Sequence, residues 1–123
     1  MILVDTSVWV DHLRQGDDRL DDLLRQSMVC VHPFVVGEMA CGHLSNRQII
    51  LELLQSLPSA LQLKPEQVLD FIERSKLMGR GIGYVDAHLC ASASCTETKL
   101  WTRDKRLLIV LNELGLAWIE PVH

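Results

Sequence analysis

The first seven residues constrain this chain more than any other stretch. Ile2, Leu3 and Val4 form a short, wholly apolar run, and a run of that kind suits a strand buried on both faces. It stops at Asp5, and the two hydroxyl residues Thr6 and Ser7 follow, with Ser7 a favoured N-cap for the helical pattern behind it. A strand that hands over to a helix in this way puts Asp5 at the carboxyl edge of a sheet, where open α/β folds bind their ligands. A single Asp at such a place is most simply a helix cap. A binding role needs other acids to arrive at equivalent places.

Similar short runs recur. Met28 to Val31 is a second strand, closed by His32 and Pro33, and Pro33 suits the first position of a new helix. Ala60 to Leu63 reads as a short edge strand stopped by Lys64 and Pro65, Lys99 to Thr102 as a fourth strand, and Ala117 to Ile119 as a last one. Between them lie amphipathic stretches. Val8 to Leu13 ends at Gly16, and a second pattern after Asp17 and Asp18 carries Leu20, Leu23 and Leu24. A third runs from Pro33 to about Cys41, and a fourth, with Ser45 as its expected cap, presents Ile49, Ile50, Leu53 and Leu54. Glu66 to Met78, the small-residue stretch Val85 to Cys95, and Arg103 to Glu113 complete the set. Such alternation predicts an α/β fold, a three-layer α/β/α sandwich around a mostly parallel five-stranded sheet. At 123 residues the chain is one domain, spanning 1–123, large enough for a core without staples.

No apolar run approaches the roughly 20 residues needed to cross a bilayer, and Met1 to Val4 is too short for a signal peptide, so the expected location is the cytoplasm. Cys30, Cys41, Cys90 and Cys95 show no zinc-type spacing, and reduced, buried thiols are expected. Gly79, Gly81 and Gly83 match neither a dinucleotide fingerprint nor a P-loop. The net charge of −4 argues against a broadly basic nucleic-acid surface, while leaving room for a local basic rim.

Four acids stand out against this frame. Asp5 ends the first strand, Glu38 lies in the helix after the second, Asp86 opens a helix after the glycine loop, and Asp104 follows the fourth strand. Asp86 and Asp104 also suit helix dipoles, and Glu38 alone would be an ordinary solvated residue. Their joint placement is the informative feature, because the 16 acids had many other places to go and the helix from Leu44 to Ser56 carries only Glu52. Two unit charges about 4 Å apart repel by about 4 kcal/mol at an effective dielectric of about 20. Converging carboxylates therefore raise one another's pKa or recruit a cation. Oxygen ligands without Cys or a His pair select Mg²⁺ or Mn²⁺ over zinc, and that chemistry suits phosphodiester hydrolysis.

With Ile2-Leu3-Val4-Asp5-Thr6-Ser7, Glu38 in Val35-Val36-Gly37-Glu38, Val85-Asp86-Ala87, and Trp101-Thr102-Arg103-Asp104 in order along nearly the whole chain, the sequence resembles PIN-domain ribonucleases of the VapC toxin type. The resemblance implies a sheet order of 3-2-1-4-5, Mg²⁺- or Mn²⁺-dependent cleavage of RNA, a homodimer, and a VapB-type antitoxin whose tail occupies the active-site groove. It implies that Asp5, Glu38, Asp86 and Asp104 are the catalytic, metal-binding acids, with Thr6 and Thr102 as supporting hydroxyls. One departure stands out: Arg106 occupies the place two beyond Asp104 where many relatives carry an acid or Asn, which leaves a fifth ligand and the number of metals open.

Arg80 is the favoured candidate for contact with RNA phosphates, ahead of Arg103, Lys105 and Arg106, for which ordinary surface charge is the better reading. Trp9 and Trp101 are expected in the core before they are expected to stack on bases. Two alternatives remain beside the nuclease. One is a degenerate PIN domain acting as a partner-binding module. The other is a phosphoaspartyl hydrolase, which lacks its usual second acid here because Ser7 stands in that place.

Overall fold

A computed structural model describes residues 1–121. Its centre is a parallel sheet of three strands, β1 (Ile2–Val4), β2 (Val29–Cys30) and β3 (Lys99–Trp101), in the order β2-β1-β3. Leu3 pairs with Cys30 on one side and with Leu100 on the other. All three β1 side chains are buried although successive residues point to opposite faces, so the sheet is covered on both sides. The covering layers come from seven helices among the described residues: α1 (Thr6–Gln15), α2 (Asp18–Arg25), α3 (Pro33–Cys41), α4 (Arg47–Ser56), α5 (Pro65–Ser75), α6 (Tyr84–Thr96) and α7 (Lys105–Leu114).

The expectation of five strands needs correction, because the outer two segments pair through one residue each. Ser59 bridges Val31 and Ala117 bridges Leu100, both in parallel. The reason is local. β2 is two residues long and gives way at once to α3, so the segment after Pro58 finds a ladder only at Val31, whose carbonyl accepts from Ala60 N–H at 2.8 Å. Beyond it the chain turns out to an exposed Leu61. At the other edge, Leu100 N–H donates to Leu116 O and Trp118 N–H donates to Leu100 O. Trp118 then tilts against the Trp101 ring, 4.5 Å between centroids, and the pairing stops.

Helix α6 carries an unbroken buried run from Ala87 to Ala93. Small side chains let this helix lie close to the sheet, as the sequence predicted. Trp9 and Trp101 are both core residues. Cys30 and Cys90 are buried and burial pushes both thiols up, Cys90 to about 12, whereas Cys41 and Cys95 are exposed, against expectation. The fourth helix is capped one residue later than expected, at Asn46, in the left-handed region that Asn tolerates. No helix among the described residues is long and apolar enough to cross a membrane.

Candidate active site

The carboxyl ends of β1 and β3 lie side by side, and the Asp5 N–H donates to Trp101 O at 2.9 Å. This bond sets Asp5 next to Thr102. Asp5 occupies the N-cap position of α1, yet its carboxylate makes no capping bond to the helix backbone. Its Oδ2 instead accepts from two hydroxyls, Ser7 Oγ and Thr102 Oγ1, each at 2.8 Å, and the group is 6 % exposed. The simple cap reading of Asp5 therefore fails. Ser7 is not the expected cap either. It sits inside the first turn of α1, donating to Asp5 and accepting the Arg103 N–H at 3.1 Å.

The other acids are positioned in the same manner. Glu38 Oε1 on α3 accepts from Thr6 Oγ1 at 2.8 Å, a contact that ties α3 to α1. Asp86 Oδ2 accepts from the Gly83 N–H at 3.1 Å at the start of α6. Asp104 is the N-cap of α7 rather than a first-turn residue, with Oδ1 accepting from the Leu107 N–H at 3.0 Å, while its own N–H donates to Thr102 Oγ1 at 3.1 Å. Asp86 and Asp104 thus do serve as helix-start acids. Each of the four carboxylates commits one oxygen to its own positioning bond. Among the described residues the second oxygen, Asp5 Oδ1, Glu38 Oε2, Asp86 Oδ1 or Asp104 Oδ2, makes no hydrogen bond.

The four share one electrostatic neighbourhood. Burial raises the pKa of Asp86, the Gly83 bond opposes that rise, and the charges of Asp5, Asp104 and Glu38 add to it. No cation offsets this repulsion: among the described residues, none of the four acids lies in an ion pair. A set of hard, uncompensated oxygens fits Mg²⁺ or Mn²⁺ by donor type. The fit is one of chemistry and charge. Among the described residues no three His, Cys, Asp or Glu side chains stand together as a ready-made cage.

An open cleft of about 650 Å³ runs beside Thr6 and Glu38, lined further by Leu13, Arg14, Met39 and Ile50. The basic candidates lie elsewhere. Arg80 forms a two-pronged pair with Glu113, 2.9 Å for each contact. Arg103 is held by three carboxylates. Its Nε donates to Glu120 and its Nη1 to Asp11, at 2.9 and 2.8 Å, and its Nη2 pairs with Asp17. Burial opposes the Arg103 charge, but bonds to Asp17, Asp11 and Glu120 prevail and hold its pKa above the usual arginine value. Arg106 lies against the glycine loop, where a Cβ on Gly81 would meet its side chain at 2.8 Å.

The PIN domain family model matches residues 2–111. The chain belongs to the PIN domain family. It is similar to Ribonuclease VapC32 of Mycobacterium tuberculosis, in strain CDC 1551 / Oshkosh and in strain ATCC 25618 / H37Rv, at 44 % identity over 123 residues and 99 % of each chain. Among solved structures it resembles FitAB bound to an IR36 DNA fragment, with a TM-score of 0.64, 19 % identity and full coverage of both chains. It also resembles FitAcB from Neisseria gonorrhoeae, with a TM-score of 0.62 and 22 % identity over 91 % of this chain and 94 % of that one. At those identities the solved structures establish the PIN fold alone. Ser7 and Arg103 make contacts around these acids that the sequence did not place. Ser7 carried a faint signal, a hydroxyl two places after a strand-ending Asp. Arg103 was weighed only as surface charge or a phosphate contact, because its acidic partners lie 17 to 92 residues away along the chain.

Proposed function

We propose that this PIN domain is a Mg²⁺- or Mn²⁺-dependent endoribonuclease of the VapC type, the toxin half of a toxin–antitoxin pair, hydrolysing RNA phosphodiester bonds in the cytoplasm. The observation that carries this reading is the half-buried Asp86, disfavoured as a carboxylate by its burial and by the charges of Asp5, Asp104 and Glu38. Full-length similarity to a named ribonuclease supplies the substrate class. Asp5, Glu38, Asp86 and Asp104 would hold the ion, which supplies charge stabilisation at the attacked phosphorus and a more acidic water.

The chain's own residues do the rest. Ser7 and Thr102 hold Asp5 through one oxygen and leave the other for the ion. Glu38, oriented by Thr6, keeps Oε2 for the proton of the water that attacks phosphorus, while the leaving oxygen is protonated from solvent. Asp104 is fixed to Thr102 through its backbone and to α7 through its side chain. The cleft of Leu13, Met39 and Ile50 fits an apolar tail of a VapB-type antitoxin, and Arg14 on its rim suits an acidic residue of that tail. Exposed Ile49, Leu69, Ile109 and Ile119 supply apolar surface for a homodimer.

The test is to pair Asp5→Asn and Asp86→Asn with the parent chain and measure cleavage of total RNA with Mn²⁺ and with EDTA. Cleavage by the parent only, and only with Mn²⁺, is the expected result. Undiminished cleavage by either variant refutes the assignment. A second reading, a partner-binding module without catalysis, draws on the absence of a ready-made three-ligand cage among the described residues. It predicts no heat of Mn²⁺ binding in calorimetry.

A further inference from the structure

Arg103 sits between Thr102 and Asp104 and makes three ion pairs, more than any other side chain among the described residues. Its guanidinium reaches α1 through Asp11, the start of α2 through Asp17, and the C-terminal segment through Glu120. Asp17 is doubly engaged, since its other oxygen caps α2 by accepting from the Leu20 N–H at 3.0 Å. Cζ of Arg103 lies 5.4 Å from the Trp101 ring centroid, and Trp101 Nε1 donates to the same Glu120 oxygen at 2.8 Å. One cation among three carboxylates is a net negative cluster, which repels a phosphate backbone. The side chain therefore has neither a free fork nor a favourable field for RNA.

Its backbone points the other way. The Arg103 N–H holds Ser7 Oγ, and Ser7 Oγ in turn holds Asp5 Oδ2. The neighbouring Thr102 hydroxyl holds the same Asp5 oxygen and accepts the Asp104 N–H. A guanidinium clamp on one side of this turn thus fixes the register of two carboxylates on the other.

We propose that Arg103 is a positioning residue of the active site, holding the Thr102–Asp104 turn against α1 through Asp11, Asp17 and Glu120 so that Asp5 and Asp104 present their free oxygens together. This role rests on the metal-dependent reading of the site given above. It makes Glu120, in the last described stretch of the chain, a remote contributor to activity.

The experiment compares Arg103→Gln, Arg103→Lys and Glu120→Gln with the parent. The readouts are melting in EDTA, calorimetric titration with Mn²⁺ alone, and kcat and KM for RNA cleavage across a salt series. Outer residues that orient ligands are typically worth about 10–100-fold in metal affinity or activity. Arg103→Gln is expected to weaken Mn²⁺ binding and lower kcat at least about tenfold, at an unchanged KM. Lysine, which keeps the charge but not the fork, recovers part of the loss, and Glu120→Gln shifts both quantities the same way by less. If Arg103→Gln fails to fold, Glu120→Gln carries the comparison. A raised KM with a salt slope smaller by about one and an unchanged kcat would make Arg103 a phosphate contact and overturn the proposal. So would a loss explained wholly by a lower melting temperature, with parental kcat and Mn²⁺ affinity in the folded fraction. Should the parent bind no Mn²⁺, the nuclease reading fails, and the clamp is then judged by amide exchange. The Arg103 and Asp104 N–H groups must exchange about tenfold faster in Arg103→Gln while the interiors of α6 and α7 stay unchanged, and equal exchange overturns it.

Discussion

Thr102 offers the sharpest test of how the site is built. It is 4 % exposed, donates to Asp5 Oδ2 at 2.8 Å and accepts the Asp104 N–H at 3.1 Å. Thr102→Val preserves volume and branching and removes only the hydroxyl. A hydrogen bond to a charged group contributes about 1.5–3 kcal/mol and a neutral one about 1 kcal/mol, so the variant should lose about 2–4 kcal/mol. For a domain of this size each kcal/mol moves the melting temperature by about 3–5 °C, so the melt should fall by roughly 10 °C. Thr102→Ser separates chemistry from packing. It keeps the hydroxyl and loses one buried methyl, at a cost of about 1 kcal/mol. Urea unfolding in EDTA measures all three proteins without the metal. The reasoning fails if Thr102→Val lies within about 0.5 kcal/mol of the parent, or if Thr102→Ser falls as far as Thr102→Val.

Removing a charge from the acid group should stabilise the metal-free protein. Asp86→Asn keeps a carbonyl oxygen for Gly83, so it should melt above the parent in EDTA at pH 7, and a lower melt would deny the repulsion. The parent should gain about 2.7 kcal/mol when Mn²⁺ is present at a hundredfold excess over its Kd, and Asp86→Asn should gain much less. Acid should act through His32, which is fully buried and whose Nδ1 accepts from the Phe34 N–H. Burial, then the nearby His88, holds its pKa down from 6.5 to about 4. The unfolded chain therefore takes the proton first, and stability drops by up to about 3 kcal/mol as pH falls from about 6.5 to about 4, then levels off. His32→Asn, which retains an acceptor for the cap, should flatten that slope in urea titrations at pH 7 and 4.5. Asp86 acts with the opposite sign, because a raised carboxyl pKa costs stability above its folded value and relieves it as the pH falls. Leu3→Ala, in the central strand and fully buried, should cost about 2–5 kcal/mol in the same urea assay.

What the sequence revealed and what it hid follow a physical division. The strand at Ile2–Val4 was legible because an apolar run ending in a carboxylate has few alternatives. The close helix from Tyr84 was legible because Ala87, Ala91 and Ala93 suit little else. The outer strands were over-read, since a run such as Ala60 to Leu63 has the composition of a strand, while pairing depends on how much ladder β2 leaves exposed. Ser45 looked like a cap because capping preference is local, yet Asn46 took that place through a backbone conformation invisible in composition. Asp5, Asp86 and Asp104 could be singled out because each sits at a strand end or a helix start, whereas Glu38, in the middle of α3, was singled out only by its company. Ser7 and Arg103 were misjudged because their partners are set by tertiary contact, Thr102 lying 95 residues from Ser7 and Asp11 lying 92 from Arg103.

The distribution of charge around the site is selective. Arg103, flanked on both sides by site residues, is drawn off by Asp11, Asp17 and Glu120, and Arg80 is drawn off by Glu113. Had the Arg103 guanidinium turned to Asp104 or Asp5, it would have formed an ion pair there and offset the repulsion among these acids. The cations are instead paired with other acids, and among the described residues none of the four central acids lies in an ion pair. On the metal-dependent reading proposed above, such an arrangement costs stability in the metal-free state and returns it on binding a divalent cation, because an ion added to uncompensated carboxylates has no resident cation to displace. That reading predicts that Asp11 and Asp17 contribute to metal affinity without touching the metal, by holding the Arg103 guanidinium away from Asp5 and Asp104.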